Sequence, residues 1–364
     1  MSEKKTQEEE KKSTKGFEYD PVSIISRKID IAIGMILPER SNTVMAGCKL
    51  LGTFFILFAT IYRLFIDCNL MTHDSEACLI MIITILVFVF TDGFSAGLIK
   101  EDKEDSINFE LFRKVCDTVC WTMIGLQICQ IMRIGDSLLG SLLIGCFWIS
   151  SHLDAYVRFK EALYVITWNF LFSFEGLLGI FFLCSYSRSM GVNLFEKEVV
   201  ELFNEEGHPA LAFITMKKVL IVLFTTFTFN ALLSKKWMWE EAGGGQTMIF
   251  ISCLPIFLGI LFLILCQYFQ LHPEGGLGFL YLSFSLIFLS ANLSLYINAF
   301  ARQNNGLKIA ELVLVILHIL ICAITGYSPM LYIITILFTL LIISKFLVVR
   351  SLNAGMIFRP KKTE

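Results

Sequence analysis

Charge is scarce in this chain. Asp, Glu, Lys and Arg make up 17% of its 364 residues, and 55% are hydrophobic, where an average soluble domain carries roughly 25% charge. Mean hydropathy is +0.69. What charge there is lies mostly in the tails and in short gaps between apolar runs. A soluble core cannot hide so many separate runs of about twenty apolar residues, whereas a bilayer can. A secretory signal peptide is also lacking: Ser2 to Lys15 is rich in Glu and Lys, with no apolar stretch and no cleavage site. Paired Cys-x-x-Cys spacing is absent among the 11 cysteines, which excludes the usual sequence signature of a zinc site. Most cysteines lie inside apolar runs and read as small packing residues. Cys68 and Cys78 flank one short loop and could pair if that loop is luminal.

What is present is helical and apolar. The expected fold is all-α and polytopic, with about ten transmembrane helices after a cytosolic interfacial helix. The runs lie near Met45–Ile66, Ala77–Ile99, Val115–Met132, Ser137–Ser151, Leu163–Tyr186, Ala210–Leu233, Thr247–Tyr268, Gly276–Ala301, Leu307–Tyr327 and Met330–Val349. The fourth is short and can continue past His152. Residues 1–17 read as a disordered cytosolic tail and 18–40 as the interfacial helix, with Val22, Ile25, Ile29, Ile33 and Ile36 at helical spacing. Residues 41–350 form the transmembrane domain, with a catalytic-type core at about 41–235, and 351–364 form a cytosolic basic tail.

Alternate connections lack Lys and Arg. Asp67–Glu76 and Leu271–Gly275 hold neither, and the loop Ser187–Pro209 is mainly acidic. The other side collects Arg27, Lys28, Lys100, Lys103, Arg113, Lys114, Arg158, Lys160, Lys235, Lys236, Arg302, Lys308 and the tail from Arg350. By the positive-inside rule both termini are cytosolic. Lys217 and Lys218 sit early in the sixth run, on the opposite side, and break the pattern; there they would snorkel or face a polar cavity. The terminal Lys361-Lys362-Thr363-Glu364 looks like a dilysine retrieval signal of the endoplasmic reticulum.

Ionisable groups inside apolar runs are costly and mark function. Asp92 lies late in the second run, followed by Gly93, Ala96 and Gly97. Small residues there let a helix or a ligand approach closely. Asp117 opens the third run and His152 closes the fourth. If the helices are neighbours, these three share a polar chamber facing the cytosol. Glu175, within the fifth run, needs a partner or a polar cavity.

At these residues the chain resembles the CDP-alcohol phosphotransferases, in their choline/ethanolamine branch. That family's signature runs Asp-x-x-Asp-Gly-x-x-Ala-Arg, a spacer, then Gly-x-x-x-Asp-x-x-x-Asp. Asp92-Gly93-Phe94-Ser95-Ala96 is similar to the first half, and Glu110-Leu111-Phe112 with Cys116-Asp117 to the branch's second half. Tyr19, Asp20, Ser23 and Arg27 resemble the N-terminal helix, and Pro38 with Ser41-Asn42-Thr43 its entry to the first span. His152 and Tyr156 resemble a His-Trp-x-x-Tyr segment, and Glu175-Gly176 a later Glu-Gly pair. The pieces occur in family order along most of the chain.

The resemblance implies transfer of phosphoethanolamine or phosphocholine from CDP-ethanolamine or CDP-choline to diacylglycerol, releasing CMP, in phospholipid synthesis at the endoplasmic reticulum. It implies Mg²⁺ or Mn²⁺ held by Asp92 and Asp117, a proton acceptor at Asp117 or His152, and substrate contacts from Asn42, Asp92, Gly93, Ala96, Glu110, Arg113 and Lys114. Expected partners are membrane lipids and these substrates, not nucleic acid; a homodimer stays open. The departures bear on mechanism: Val89, Gly97, Phe109, Arg113 and Lys114 replace the signature's first Asp, its Arg, its Gly, its third Asp and the branch's His. Two carboxylates stand where four normally hold metal, and cations stand beside them. Cationic side chains bind phosphate directly, so an active enzyme and an inert relative that binds nucleotide or lipid, or supports a partner, are both compatible with these residues. An unrelated transporter would show inverted repeats or broken helices, and no repeat is visible.

Overall fold

The computed structural model describes residues 24–37, 42–71, 75–95, 103–135, 137–158, 174–191, 194–197, 214–234, 245–269, 277–300 and 309–325. These residues form ten α-helices and no strand. In chain order they are α1 (Ile24–Ile36), α2 (Asn42–Ile66), α3 (Ser75–Ser95), α4 (Lys103–Ile131), α5 (Leu138–Arg158), α6 (Phe174–Ser189), α7 (Met216–Ser234), α8 (Gly245–Tyr268), α9 (Leu277–Phe300) and α10 (Ile309–Thr325). Runs this apolar fold as helices because a helix satisfies its own backbone without water. Three of the helices are long and apolar enough to cross a membrane, at Val44–Ile66, Cys78–Ser95 and Ile251–Tyr268.

α4 and α5 pack together at the centre. α2 lies against both α3 and α4, α1 rests on α3, and α6 takes another side of α3. α5 carries α7, α8 and α9; α9 also reaches α4, and α10 lies on α8 and α9. Buried aromatics join the second group. Trp148 of α5 sits with its ring centroid 4.6 Å from that of Phe288 on α9, and its indole N–H donates to the Ser285 hydroxyl at 2.9 Å. His318 of α10 has its Nε2 2.6 Å from the Ser283 hydroxyl, and its ring packs edge-to-face with that of Phe284.

α2 is built inside out relative to a soluble helix. Its inward face carries Met45, Lys49, Thr53, Ile56, Thr60 and Arg63, all buried. Its outward face carries Phe54, Phe58, Tyr62 and Phe65, all exposed, and the first three rings stack successively at 6.0 and 6.4 Å. Polar inside and aromatic outside is stable where the surroundings are hydrocarbon.

The helices differ from the sequence expectation at several ends. α4 begins at Lys103 rather than near Val115. The stretch expected as a loop is rich in helix formers, with Glu110 and Lys114 four apart, an order that supports a helical turn. α5 continues past His152 to Arg158. α7 begins at Met216, after non-helical residues at 214 and 215, so Lys217 and Lys218 sit in its first turn. α6 is described from Phe174 onward. All 11 cysteines, Cys68 and Cys78 included, are free thiols. The N-terminal tail, the apolar run Met330–Val349 and the basic tail lie outside the described residues, as do Ala96 and Gly97.

Candidate functional site

Small residues bring the site together. α2 meets α3 at Gly52, where a Cβ would lie 2.0 Å from Thr91 Oγ1 and 3.0 Å from the Phe88 Cα. Only a missing side chain permits that approach. One turn before Gly52 on α2 is Lys49, and one residue beyond Thr91 on α3 is Asp92. The close crossing therefore lays the ammonium of Lys49 against the Asp92 carboxylate, and the two form a buried ion pair. α4 lies on the other side of α2. There Thr53 reaches Cys116 and Cys120, and Asp117 Oδ1 stands 2.6 Å from the same Lys49 Nζ.

One lysine thus joins carboxylates from two other helices. Lys49 and Asp92 have no exposed side-chain surface, and Asp117 keeps 9%. The Phe88 ring, one turn before Asp92, places its centroid 4.2 Å from Lys49 Nζ, an attractive position for a cation over an aromatic face. Arg113, one turn before Asp117 on α4, is fully buried and lies close enough to act electrostatically on both Lys49 and Asp117. Two cations and two carboxylates therefore sit together in a low-dielectric interior, and their formal charges cancel.

Gly93 has a packing role. A Cβ there would meet the Ser26 carbonyl oxygen at 2.5 Å and Ile29 Cβ at 2.8 Å, so its hydrogen lets α1 lie flush on α3. The Ser26 hydroxyl then donates to the Val89 carbonyl at 2.8 Å. Val89, standing at a signature Asp, is buried and contributes its backbone. α1, expected as an interfacial helix over residues 18–40, is helical over Ile24–Ile36, and Ile24, Ile31, Met35 and Ile36 stay exposed on it.

His152 is held by other helices. Its Nδ1 lies 2.7 Å from Asn292 Oδ1 on α9 and its Nε2 2.6 Å from the Ser252 hydroxyl on α8. Asn292 Nδ2 donates onward to Ser151 at 3.0 Å. Both ring nitrogens are engaged, which makes His152 the clasp of a buried polar cluster joining α5, α8 and α9. Of the expected site residues, Asp92, Asp117 and Arg113 meet around Lys49. Asn42 opens α2, Glu110 and Lys114 lie on α4, and Glu175 is in the first turn of α6; their side chains, and all of Ala96, fall outside the described residues.

Lys49 is the residue that motif reading missed. It matches no part of the signature, and a lysine near the basic end of a first span reads as one that snorkels. A physical signal was present: an ionisable side chain inside an apolar run needs an opposite charge, and Asp92 and Asp117 were two unmatched acids.

The donor set does not suit a divalent ion. Both carboxylates already bind the Lys49 ammonium, and Arg113 adds a second positive charge nearby. Mg²⁺ and Ca²⁺ take several oxygen ligands around one centre, and among the described residues no group of three His, Cys, Asp or Glu side chains is gathered that way. What the arrangement forms is a buried ion cluster that joins α2, α3 and α4, with Asp117 its most exposed member. No protein-family model matches this chain, and no curated protein matches it.

Proposed function

We propose that this chain is a multi-pass membrane protein of phospholipid synthesis of the CDP-alcohol phosphotransferase type, transferring phosphoethanolamine or phosphocholine to diacylglycerol with release of CMP. The observation that carries this reading is the convergence of Asp92 and Asp117, from consecutive helices, on a buried charged centre that also contains Arg113. These are the acids the signature resemblance selects. The span-length apolar helices, the outward aromatics of α2 and the alternation of basic loops support about ten spans with both termini cytosolic.

In this reading the donor diphosphate takes over part of the Lys49 and Arg113 charge that Asp92 and Asp117 balance at rest, and the carboxylate so released is open to a proton. The lipid hydroxyl attacks the β-phosphorus, the bond from that phosphorus to the bridging oxygen breaks, and CMP leaves. The hydroxyl proton passes to a carboxylate. Asp117 is the better placed acceptor, because it alone of the ion-paired trio keeps exposed side-chain surface. A second reading, an inert relative that binds nucleotide or lipid, is favoured by Lys49 itself, which leaves neither acid free to recruit a metal.

The test is transfer of label from CDP-ethanolamine or CDP-choline to diacylglycerol in membranes holding the full chain. Product that disappears in Asp117→Asn and Arg113→Gln supports turnover. Donor binding without product, measured with the same label on the purified protein, supports the inert reading. Neither product nor binding overturns both.

A further inference from the structure

We infer that the Lys49 ammonium is the resident cation of this centre, seated between Asp92 and Asp117 in place of a divalent metal, so that the centre assembles metal-free. This inference does not rest on turnover and stands whether the protein transfers phosphate or only binds it.

Four observations carry it. Lys49 Nζ pairs with carboxylates from both α3 and α4, and an ammonium has three donors and nothing with which to ligate a metal. The seat is shaped for it: Gly52 sets the α2–α3 crossing at the required closeness, and the face of Phe88 lies 4.2 Å from Nζ. Lys49 is fully buried, so making room for an incoming ion would drive a charge out through packed helices. Finally, Lys49 and Arg113 already offset Asp92 and Asp117. A divalent ion added to that set would leave two net positive charges in a medium that solvates them poorly.

The experiment uses the full chain purified into lipid nanodiscs. Binding of Mn²⁺ is read by its electron paramagnetic resonance signal, and thermal stability is read with chelator and with millimolar Mg²⁺ or Mn²⁺. The wild type is expected to show no Mn²⁺ site that depends on Asp92 or Asp117, and the same Tm in both conditions. Lys49→Ala is expected to lose several degrees of Tm in chelator and to regain them with Mn²⁺, because its two bare carboxylates then accept the ion. That regain should vanish in Lys49→Ala combined with Asp117→Asn. A wild-type Mn²⁺ site abolished by Asp92→Asn overturns the inference, and so does a Lys49→Ala protein indifferent to both chelator and metal. Should Lys49→Ala fail to fold, the wild-type binding measurement, with Asp92→Asn beside it, decides alone.

Discussion

At the scale of single residues, Lys49 has the largest consequences. Removing one partner from a buried ionic cluster leaves a desolvated charge and costs about 3–5 kcal/mol. Lys49→Met should therefore destabilise strongly in equilibrium unfolding in micelles. Lys49→Met with Asp92→Asn should recover a large part of that loss, since the charges then left in the centre, Asp117 and Arg113, balance each other; a double variant no more stable than the single one would contradict the pairing. His152 predicts differently. His152→Ala breaks two hydrogen bonds and leaves Ser252 and Asn292 short of a partner, worth about 1–3 kcal/mol. It should not make the Lys49 centre sensitive to metal. Asp92 and Asp117 were legible in the sequence because an acid inside an apolar run has few bland explanations. Lys49 was not, because a long flexible cation near a span end has an easy one. His152 was legible as a residue of interest but not in its company, since nothing in a linear motif tells which of several neighbouring helices will supply its partners.

Helix ends and helix crossings form the next scale. The apolar runs told where helices lie, and nine of the ten expected runs coincide with α2 to α10. Their ends were less legible: α4 extends into a polar stretch and α7 starts late, since helix formers propagate a helix wherever they occur, lipid or not. The late start of α7 puts Lys217 and Lys218 in its first turn, one turn closer to the helix end than the apolar run implied. Crossings were hardly legible at all, because they depend on which small residue faces which neighbour. Gly52 gives the sharpest test. Gly52→Leu should cost about 1–3 kcal/mol by overpacking. It should also part Lys49 from Asp92, seen as a larger loss in the wild-type background than in Lys49→Met with Asp92→Asn, where that pair is already gone. Thr91→Ala should not rescue it, since the Phe88 Cα remains 3.0 Å from the added Cβ and backbone cannot rotate away.

For the whole molecule, the question is what surrounds it. Phe58 is 59% exposed and Phe65 68% exposed on α2, a large apolar surface that water would penalise. Phe58→Asp separates the environments cleanly. In a bilayer it should lower insertion of that helix, by about 2.5–3.5 kcal/mol on translocon-type scales, read as the fraction of chains reaching the membrane-integrated state. A helix facing water would tolerate or even welcome it. Glycosylation acceptor sites added at either terminus should stay unmodified in microsomes if both ends face the cytosol, while one placed in the loop at 187–209 should be used. The order of the apolar runs was legible from composition alone. The arrangement that matters was not: Asp92, Asp117 and His152 were expected to share one chamber, whereas Lys49 of the first run ties the two acids and His152 bonds to α8 and α9.

α1 gives this arrangement a mechanical property. It is seated on Gly93, immediately beside Asp92, and fastened by Ser26 to the turn below, while Ile24, Met35 and Ile36 point outward. A helix so placed is a cover over α3 at the level of Asp92. Any side chain larger than hydrogen at residue 93 would wedge that cover away, and water would then gain a way to a carboxylate that packing now keeps dry.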